Sequence, residues 1–297
     1  MPDRIAILNV EFNSSCNLRC RWCALDHSRP RTVMSPETLD ILLSQLAEGA
    51  LPALKRLDLH NGGETLLHPD LGSMLAVLSQ WKTALLRQTP DLRIRLLTNG
   101  MLLTERKSRQ IIESSAVDCL RFSVDGGSPQ QYEAIRVGAR WKTLVRNVTR
   151  FCELNTKALQ PIRTEAICMV PEGHNTPFSD EFTALLANID TVSLRHPHNW
   201  DGSAELGVND ASYRNIAERH TGQCCYLLEH NLVVLPDGSV TVCCNDLNAR
   251  GVIGTLHETP LRDIAPSPVR QQMKELMLQN RKAEIPLCRN CTGFFRP

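Results

Sequence analysis

Through its first two-thirds the chain alternates short β-rich runs with longer helical patterns. The runs are ILNVEF, LKRLDLHNGGE, LRIRLLTNG, CLRFSVDGG, IRTEAICMV and TVSLRH. Helical patterns follow at MSPETLDILLSQL, near 71–87, near 104–115, around 141–157 and near 178–188. Six strands with a helix after most of them is the pattern of a parallel α/β sheet or barrel, because parallel neighbours need a crossover long enough to hold a helix. Ser35 is placed to cap the first helix, with Pro36 at its first position, where a missing N–H does no harm. After residue 199 the alternation stops. Residues 199–222 read as a polar connection with one short helix, and NLVVLPDGSVTVCC reads as a hairpin around Pro-Asp-Gly. A last helix near 267–280 precedes IPLCRNC. The expected boundary falls near 205–222, dividing residues 1–205 from 206–297.

The cysteines mark where chemistry belongs. Of twelve, Cys16, Cys20 and Cys23 fall in FNSSCNLRCRWCALDH at C-x3-C-x2-C, directly after the first strand. Cys224, Cys225, Cys243, Cys244, Cys288 and Cys291 crowd the last quarter, while Cys119, Cys152 and Cys168 stand alone. The opening MPDRIAILNV is too short an apolar run for a secretion signal, and no stretch approaches the ~18 apolar residues of a membrane span. A cytoplasmic location is expected, where reducing conditions disfavour structural disulfides. With a net charge of +1 and 22% charged residues, nothing suggests a grip on nucleic acid or a membrane. Structural zinc wants four ligands in two short pairs, whereas three thiolates on one loop suit a [4Fe–4S] cluster with one iron left open. That open iron makes the loop the first candidate for an active site, with structural zinc as the alternative.

CNLRCRWC, with Trp22 in the aromatic position, resembles the signature of radical S-adenosylmethionine enzymes. The resemblance implies a partial (β/α)6 barrel and an open iron chelated by the amino and carboxylate groups of S-adenosylmethionine. Cleavage of that cofactor to a 5′-deoxyadenosyl radical is implied with it. Further matches fall at strand ends, where such sheets bind ligands. In NGGE, Gly62, Gly63 and Glu64 would hold the methionyl ammonium. Thr98 and Asn99 belong to the TNG match, and Ser123 and Asp125 in SVDG would meet ribose or substrate. Towards the C-terminus, Cys225, Gly238, Cys243, Cys288 and Cys291 resemble the C-x12-G-x4-C…C-x2-C layout of the twitch domain, which carries one auxiliary [4Fe–4S] cluster. Cys243 and Cys244 sit on one strand and must face opposite ways; the glycine spacing selects Cys243, and the family spacing favours Cys225 over Cys224. The expected architecture is α/β: a partial radical-SAM barrel with a small C-terminal β-hairpin and helix iron–sulfur domain. Its cofactors would be two [4Fe–4S] clusters and S-adenosylmethionine, with a four-cysteine zinc site as the alternative for the second set.

The cysteine loop and the short C-terminal domain look most like the aminoglycoside epimerases, which invert a sugar carbon of a neomycin-type substrate. Such an enzyme abstracts hydrogen from one face and returns it from a cysteine thiol on the other. The loop NDLNARG after Cys243 is where that donor is expected, and this chain has Ala249 there. Donation by Cys168, late on the fifth strand, is the other option, with Cys244 less favoured and Cys119 and Cys152 read as packing residues. A dehydrogenase oxidising an aminocyclitol carbinol to a ketone is the alternative reading, and an iron–sulfur electron carrier or sensor a further one. The expected partners are a cationic small molecule and an external electron donor such as flavodoxin or ferredoxin. Asp26, Glu165, Asp201 and Asp246 are candidate carboxylates for the ammonium groups, and Arg195, His196 and His198 are candidate polar contacts.

Overall fold

Every other residue along the first strands is apolar, and that period decides how the sheet is dressed. The protein is known from a computed structural model that describes residues 4–170, 177–204 and 222–293. Six strands run parallel in chain order: β1 (Ile7–Val10), β2 (Arg56–Leu59), β3 (Arg93–Thr98), β4 (Cys119–Ser123), β5 (Arg163–Met169) and β6 (Thr191–Arg195). The crossovers carry α1 (Pro36–Ala47), α2 (Leu71–Gln88), α3 (Glu105–Glu113), α4 (Pro129–Ile135) with α5 (Trp141–Asn155), and α6 (Asp180–Leu186). Leu57, Leu59, Ile94, Leu96, Leu120, Phe122 and Cys168 occupy one face and form a single buried core with Leu39, Leu42, Leu43 and Leu46 of α1. Each such side chain contributes about 1.5–3 kcal/mol by leaving water.

The other face is polar. Register pairs Asn9 with Asp58, Asp58 with Arg95, and Arg121 with Glu165. Arg95 grips Asp58 through Nε and Nη2 at 2.6 and 2.7 Å. Arg121 Nε donates to Glu165 at 2.7 Å, and Ser193 Oγ donates to its other oxygen at 2.6 Å. Removing one member of such a buried pair leaves the other charge uncompensated, so the row is a constraint as well as a stabiliser. Helix starts follow the expected capping chemistry: Ser35 Oγ accepts from Thr38 N at 3.1 Å, with Pro36 beside it.

The C-terminal hairpin does not stand apart. Strand β7 (Asn231–Val234) pairs in parallel with β1 along its whole length. Strands β8 (Ser239–Thr241) and β9 (Val252–Thr255) then follow antiparallel, extending the sheet to nine strands. A second small core of Leu228, Val242, Met273, Met277, Ile285 and Leu287 lies under the helix Pro268–Leu278. Arg270 on that helix is fully buried and donates to the carbonyls of Ala265, Leu228 and Glu229. Much of the connection expected at 199–222 falls outside the described residues. Elements that no sequence pattern announced include helix α4, strand β9 and the short helices Tyr226–His230 and Leu261–Ile264. Among the described residues no helix is long and apolar enough to cross a membrane.

Asn231 is the pin between the two halves. Its side-chain amide is fully buried, donates to Asn9 Oδ1 at 2.8 Å, and accepts from Cys244 N at 2.7 Å. Asn231→Ala strands both partners without water and is expected to cost about 2 kcal/mol. A urea midpoint that stays at the wild-type value would refute this.

Candidate active site

The cysteine loop leaves β1 and is closed at its base by Ser14 N donating to Thr32 O and Met34 N to Phe12 O. Its outer arm is stitched to the end of α4 and the residues just after it by Arg21 N to Ile135 O and Arg19 N to Val137 O. Against its inner side lies the turn Asn61–Glu64. Glu64 N donates to Ser15 O at 2.8 Å, and Asn13 Nδ2 donates to Glu64 O at 2.9 Å. Gly63 N donates to Glu11 Oε1 at 2.7 Å. A Cβ on residue 63 would fall 1.8 Å from Asn13 O, so only glycine lets this turn seat on the cysteine loop.

The cavity so formed, of about 230 Å³, is lined by Cys16, Cys20, Cys23, Gly62, Gly63 and Glu64 together with Thr98, Asn99, Ser123 and Asp125. Glu64 is buried and already holds three donors: Thr98 Oγ1 at 2.7 Å and Leu66 N at 3.0 Å on Oε1, and Asn99 N at 2.8 Å on Oε2. Burial raises its pKa, opposed by these bonds. Lone-pair capacity remains on Oε2 for one further donor facing the cavity. Asp125 pairs with Arg136 Nε at 2.9 Å and accepts from Met169 N at 2.9 Å. Arg136 also brings Nη1 to 3.9 Å from Cys20 Sγ. Burial pushes the Cys16 thiol up to about 12, so it keeps its proton at neutral pH unless a metal takes that place. His60 and His198 line the same cavity, and burial lowers both to about 4, leaving neutral imidazoles.

A second pocket lies behind the hairpin. Cys225, Cys243, Cys288 and Cys291 line it with Leu228, Val242 and Met277. Asn245 N points at Cys243 Sγ (3.4 Å) and Gly293 N at Cys291 Sγ (3.2 Å). Burial pushes Cys291 up to about 12 and raises Cys288 as well. The glycine of the Gly-x4-Cys spacing, Gly238, has φ +82, and a Cβ there would meet the His257 ring at 2.7 Å. Among the described residues no three His, Cys, Asp or Glu converge closely enough to hold a single metal ion. Four thiols spaced round an apolar pocket, with N–H groups aimed at sulfur, suit a multi-iron cluster; one zinc ion would draw its sulfurs to about 2.3 Å from a common centre.

The model of the Radical SAM superfamily matches residues 10–176, more than half of the chain, and that of the SPASM iron–sulfur cluster-binding domain matches residues 224–292. The chain belongs to the radical SAM superfamily. Its cofactors are therefore S-adenosylmethionine with a [4Fe–4S] cluster, and a further iron–sulfur cluster in the C-terminal segment. The S-adenosyl-L-methionine-dependent 2-deoxy-scyllo-inosamine dehydrogenase of Niallia circulans is 20% identical over 298 residues, 99% of this chain and 95% of that one. A probable GTP 3′,8-cyclase of Methanococcus maripaludis is 25% identical over 215 residues, but these are 67% of this chain and 65% of the cyclase. The chain thus matches about two-thirds of that cyclase's length. The crystal structure of BtrN in complex with AdoMet and 2-DOIA superposes with a TM-score of 0.63 at 19% identity, covering 98% of this chain and 94% of that one, which shows a common fold.

Within this radical SAM fold several expected residues land elsewhere. Cys168 is completely buried on the helix-facing side of β5, while its neighbours Ile167 and Met169 face the cavity; strand alternation keeps it from the mouth. None of the four candidate carboxylates lines the cavity. Asp26 is exposed and bonded to Ser28, and Glu165 is taken by Arg121 and Ser193. Asp201 is taken by Ser203 and Arg250, and Asp246 by Thr241 Oγ1 at 2.6 Å. Arg195 and His198 do line the cavity, and His196 is exposed. Cys244, the less favoured of the candidate donors, opens on the cavity while Cys243 opens on the second pocket. Cys119 is buried on the polar sheet face and Cys152 is half-buried on α5. Ala249 is half-buried with φ +56, on a loop seated over the mouth by Asn61 Nδ2 to Asp246 O (3.3 Å) and Asn248 Nδ2 to Ala24 O (2.7 Å). Glu11, Asn13, Arg136, Trp200 and Asn245 were not singled out from sequence. For Glu11 a signal existed, an acid closing the apolar run ILNVEF.

Two predictions follow from this packing. Gly63→Ala is expected to weaken S-adenosylmethionine binding at least tenfold, measured by calorimetry on reconstituted protein; wild-type affinity would refute the tight seating. Burial raises Glu11 to about 7, opposed by the Gly63 and Gly62 N–H groups. Between about pH 4.5 and 7 the folded state therefore holds a proton that the unfolded state has lost, so this group's contribution to stability falls as pH rises through that window. Glu11→Gln keeps an acceptor for Gly63 N and is expected to gain melting temperature over wild type progressively from pH 5 to 7.5. A difference independent of pH would overturn the assignment.

Proposed function

We propose that this radical SAM enzyme removes a hydrogen atom from a carbinol carbon of a small aminocyclitol or amino sugar, and that the product is the ketone. The observation that carries the reading is the match to the 2-deoxy-scyllo-inosamine dehydrogenase, which runs through both the barrel and the C-terminal cysteines. The match to the GTP cyclase takes in only two-thirds of either chain. When bound, the cluster held by Cys16, Cys20 and Cys23 and the S-adenosylmethionine beside it supply a 5′-deoxyadenosyl radical. The chain's own residues do the rest. Gly62, Gly63 and Glu64 hold the methionyl ammonium, Ser123 and Asp125 meet the ribose or substrate, and Arg136 offsets the negative charge gathered at Cys20. A hydroxyl-bearing carbon radical becomes a ketone only by giving up a second electron and its hydroxyl proton, and Cys225, Cys243, Cys288 and Cys291, which line the neighbouring pocket, would hold a cluster able to accept that electron.

Inversion at a sugar carbon is the second reading, and the position of the loop carrying Ala249, though not the alanine itself, is what favours it. That loop covers the mouth where a thiol donor is wanted, and alanine there has no S–H to give. Cys244 is the described thiol on the cavity wall outside both cluster sets. Anaerobic turnover in deuterated water separates the outcomes, with 2-deoxy-scyllo-inosamine and a neomycin-type aminoglycoside as substrates. Oxidation predicts 5′-deoxyadenosine and ketone in equal amounts with no deuterium in the product, unchanged in Ala249→Cys. Inversion predicts solvent deuterium at one carbon, appearing or rising at least tenfold in Ala249→Cys. Absence of 5′-deoxyadenosine with every substrate would sink both. Cys16→Ala is expected to lower cofactor cleavage at least a hundredfold and bound iron from about eight to about four per chain.

A further inference from the structure

Among the described residues, Asn245 is the one side chain that lines both the active-site cavity and the auxiliary pocket. It is 4% exposed, and its backbone N–H and side-chain Nδ2 are both engaged. Its backbone N–H points at Cys243 Sγ (3.4 Å), and its Nδ2 reaches Cys291 Sγ at 4.0 Å and donates to Trp200 O at 3.4 Å. Trp200 continues the path in the other direction. Its Nε1 donates to the carbonyl of Trp22, next to Cys23, at 2.6 Å, and His198 packs edge-on against its ring at 4.5 Å. Trp200 holds φ +55, a costly conformation for a bulky side chain, and it is this conformation that joins the two contacts. A short chain of bonds thus runs from the Cys16–Cys20–Cys23 loop to two thiols of the auxiliary set, along the wall of the cavity.

We propose that Asn245 and Trp200 are positioning residues that couple the auxiliary cluster to the cavity: Asn245 by directing N–H groups at the auxiliary thiolates, Trp200 by tying that wall to the first cysteine loop. N–H groups aimed at cluster sulfur stabilise the extra negative charge of the reduced state and raise its potential. In turnover, a role that rests on the oxidative reading above, an α-hydroxy carbon radical would give one electron to an oxidised cluster held by Cys225, Cys243, Cys288 and Cys291. Its hydroxyl proton goes to solvent, and the C–O bond becomes C=O.

The test needs no substrate. Full-length protein is reconstituted anaerobically and both clusters are titrated by EPR-monitored reduction. Asn245→Asp keeps the size of the side chain but exchanges its N–H donor for a negative charge. It is expected to retain about eight irons and to make reduction of the auxiliary cluster about tenfold less favourable, ~59 mV for one electron, with the other cluster unmoved. Asn245→Ser, which restores a donor, is expected to fall between. In wild type, adding S-adenosylmethionine should shift the auxiliary EPR signal, and in Trp200→Phe, which keeps an aromatic ring beside His198 but loses the bond to Trp22, that shift should vanish. Wild-type potentials in both Asn245 variants overturn the proposal. Loss of the auxiliary cluster from both also overturns it, because the residue is then only a structural wall. A shift that survives in Trp200→Phe removes Trp200 from the coupling. Failure of the oxidative reading shows separately, as turnover without ketone.

Discussion

A side chain of any size at position 63 would collide with the carbonyl of Asn13, and the rest of the site depends on that bare contact. Because the glycine turn can lie flat on the cysteine loop, Glu64 N reaches Ser15 O and the Asn13 amide reaches Glu64 O. Glu64 is then aimed sideways at the end of β3, where Thr98 and Asn99 N fix both its oxygens. Three strand ends are in this way locked to one loop by hydrogen bonds that need no ligand. Such a site is assembled before its cofactor arrives, so little binding energy is spent on ordering it. Glu11 bears the cost, a carboxyl held in a dry place to receive the Gly63 N–H.

Charge inside the barrel is arranged in one direction. Asp58 and Glu165 are each gripped by an arginine within the sheet, and Asp125 by Arg136 at the mouth. Arg195 faces the cavity too, while His60 and His198 stay neutral beside it. A thiolate-ligated cluster and the carboxylate of S-adenosylmethionine are both negative, so cationic walls serve the cofactor. The same walls do little for a polyamine. The four carboxylates expected to balance ammonium groups are spent on structure, and the acids that do line the cavity, Glu64 and Asp125, are already held by hydrogen bonds or by Arg136.

Periodicity made the barrel legible. Apolar residues at every second position, with turn residues and caps between, specify parallel strands and crossover helices, and the cysteine spacings specify where metal chemistry belongs. What local pattern does not contain is which strand lies beside which. The parallel pairing of β7 with β1 joins residues more than two hundred positions apart, and nothing in NLVV announces it. The same limit hid Arg136, Trp200 and Asn245, whose partners are distant in sequence. Cys168 shows the complementary error. Its place late on β5 was read correctly, but reaching the mouth also requires the odd-numbered face, which Ile167 and Met169 hold. The four acids fail for another reason: a carboxylate near a strand end is as useful for tying backbone as for binding a ligand, and only the completed hydrogen-bond inventory distinguishes them.

The continuous sheet explains how two metal-binding sites can work as one. Had the hairpin been a separate module on a linker, its cluster would sit at a variable distance from the first. Instead β7 is hydrogen-bonded to β1 throughout, and β1 itself delivers the first cysteine loop. Asn231 then fixes Cys244 N against the same strand pair, so the step from Cys243 to Cys244 falls where one residue faces the auxiliary pocket and the next the cavity. Both cysteines lie beyond the end of β8 at Thr241, in the turn that follows, so it is this turn and not strand alternation that makes the backbone between them the partition. On the oxidative reading proposed above, an electron leaving the cavity would have only that partition to cross, one residue thick and anchored to the sheet through Asn231.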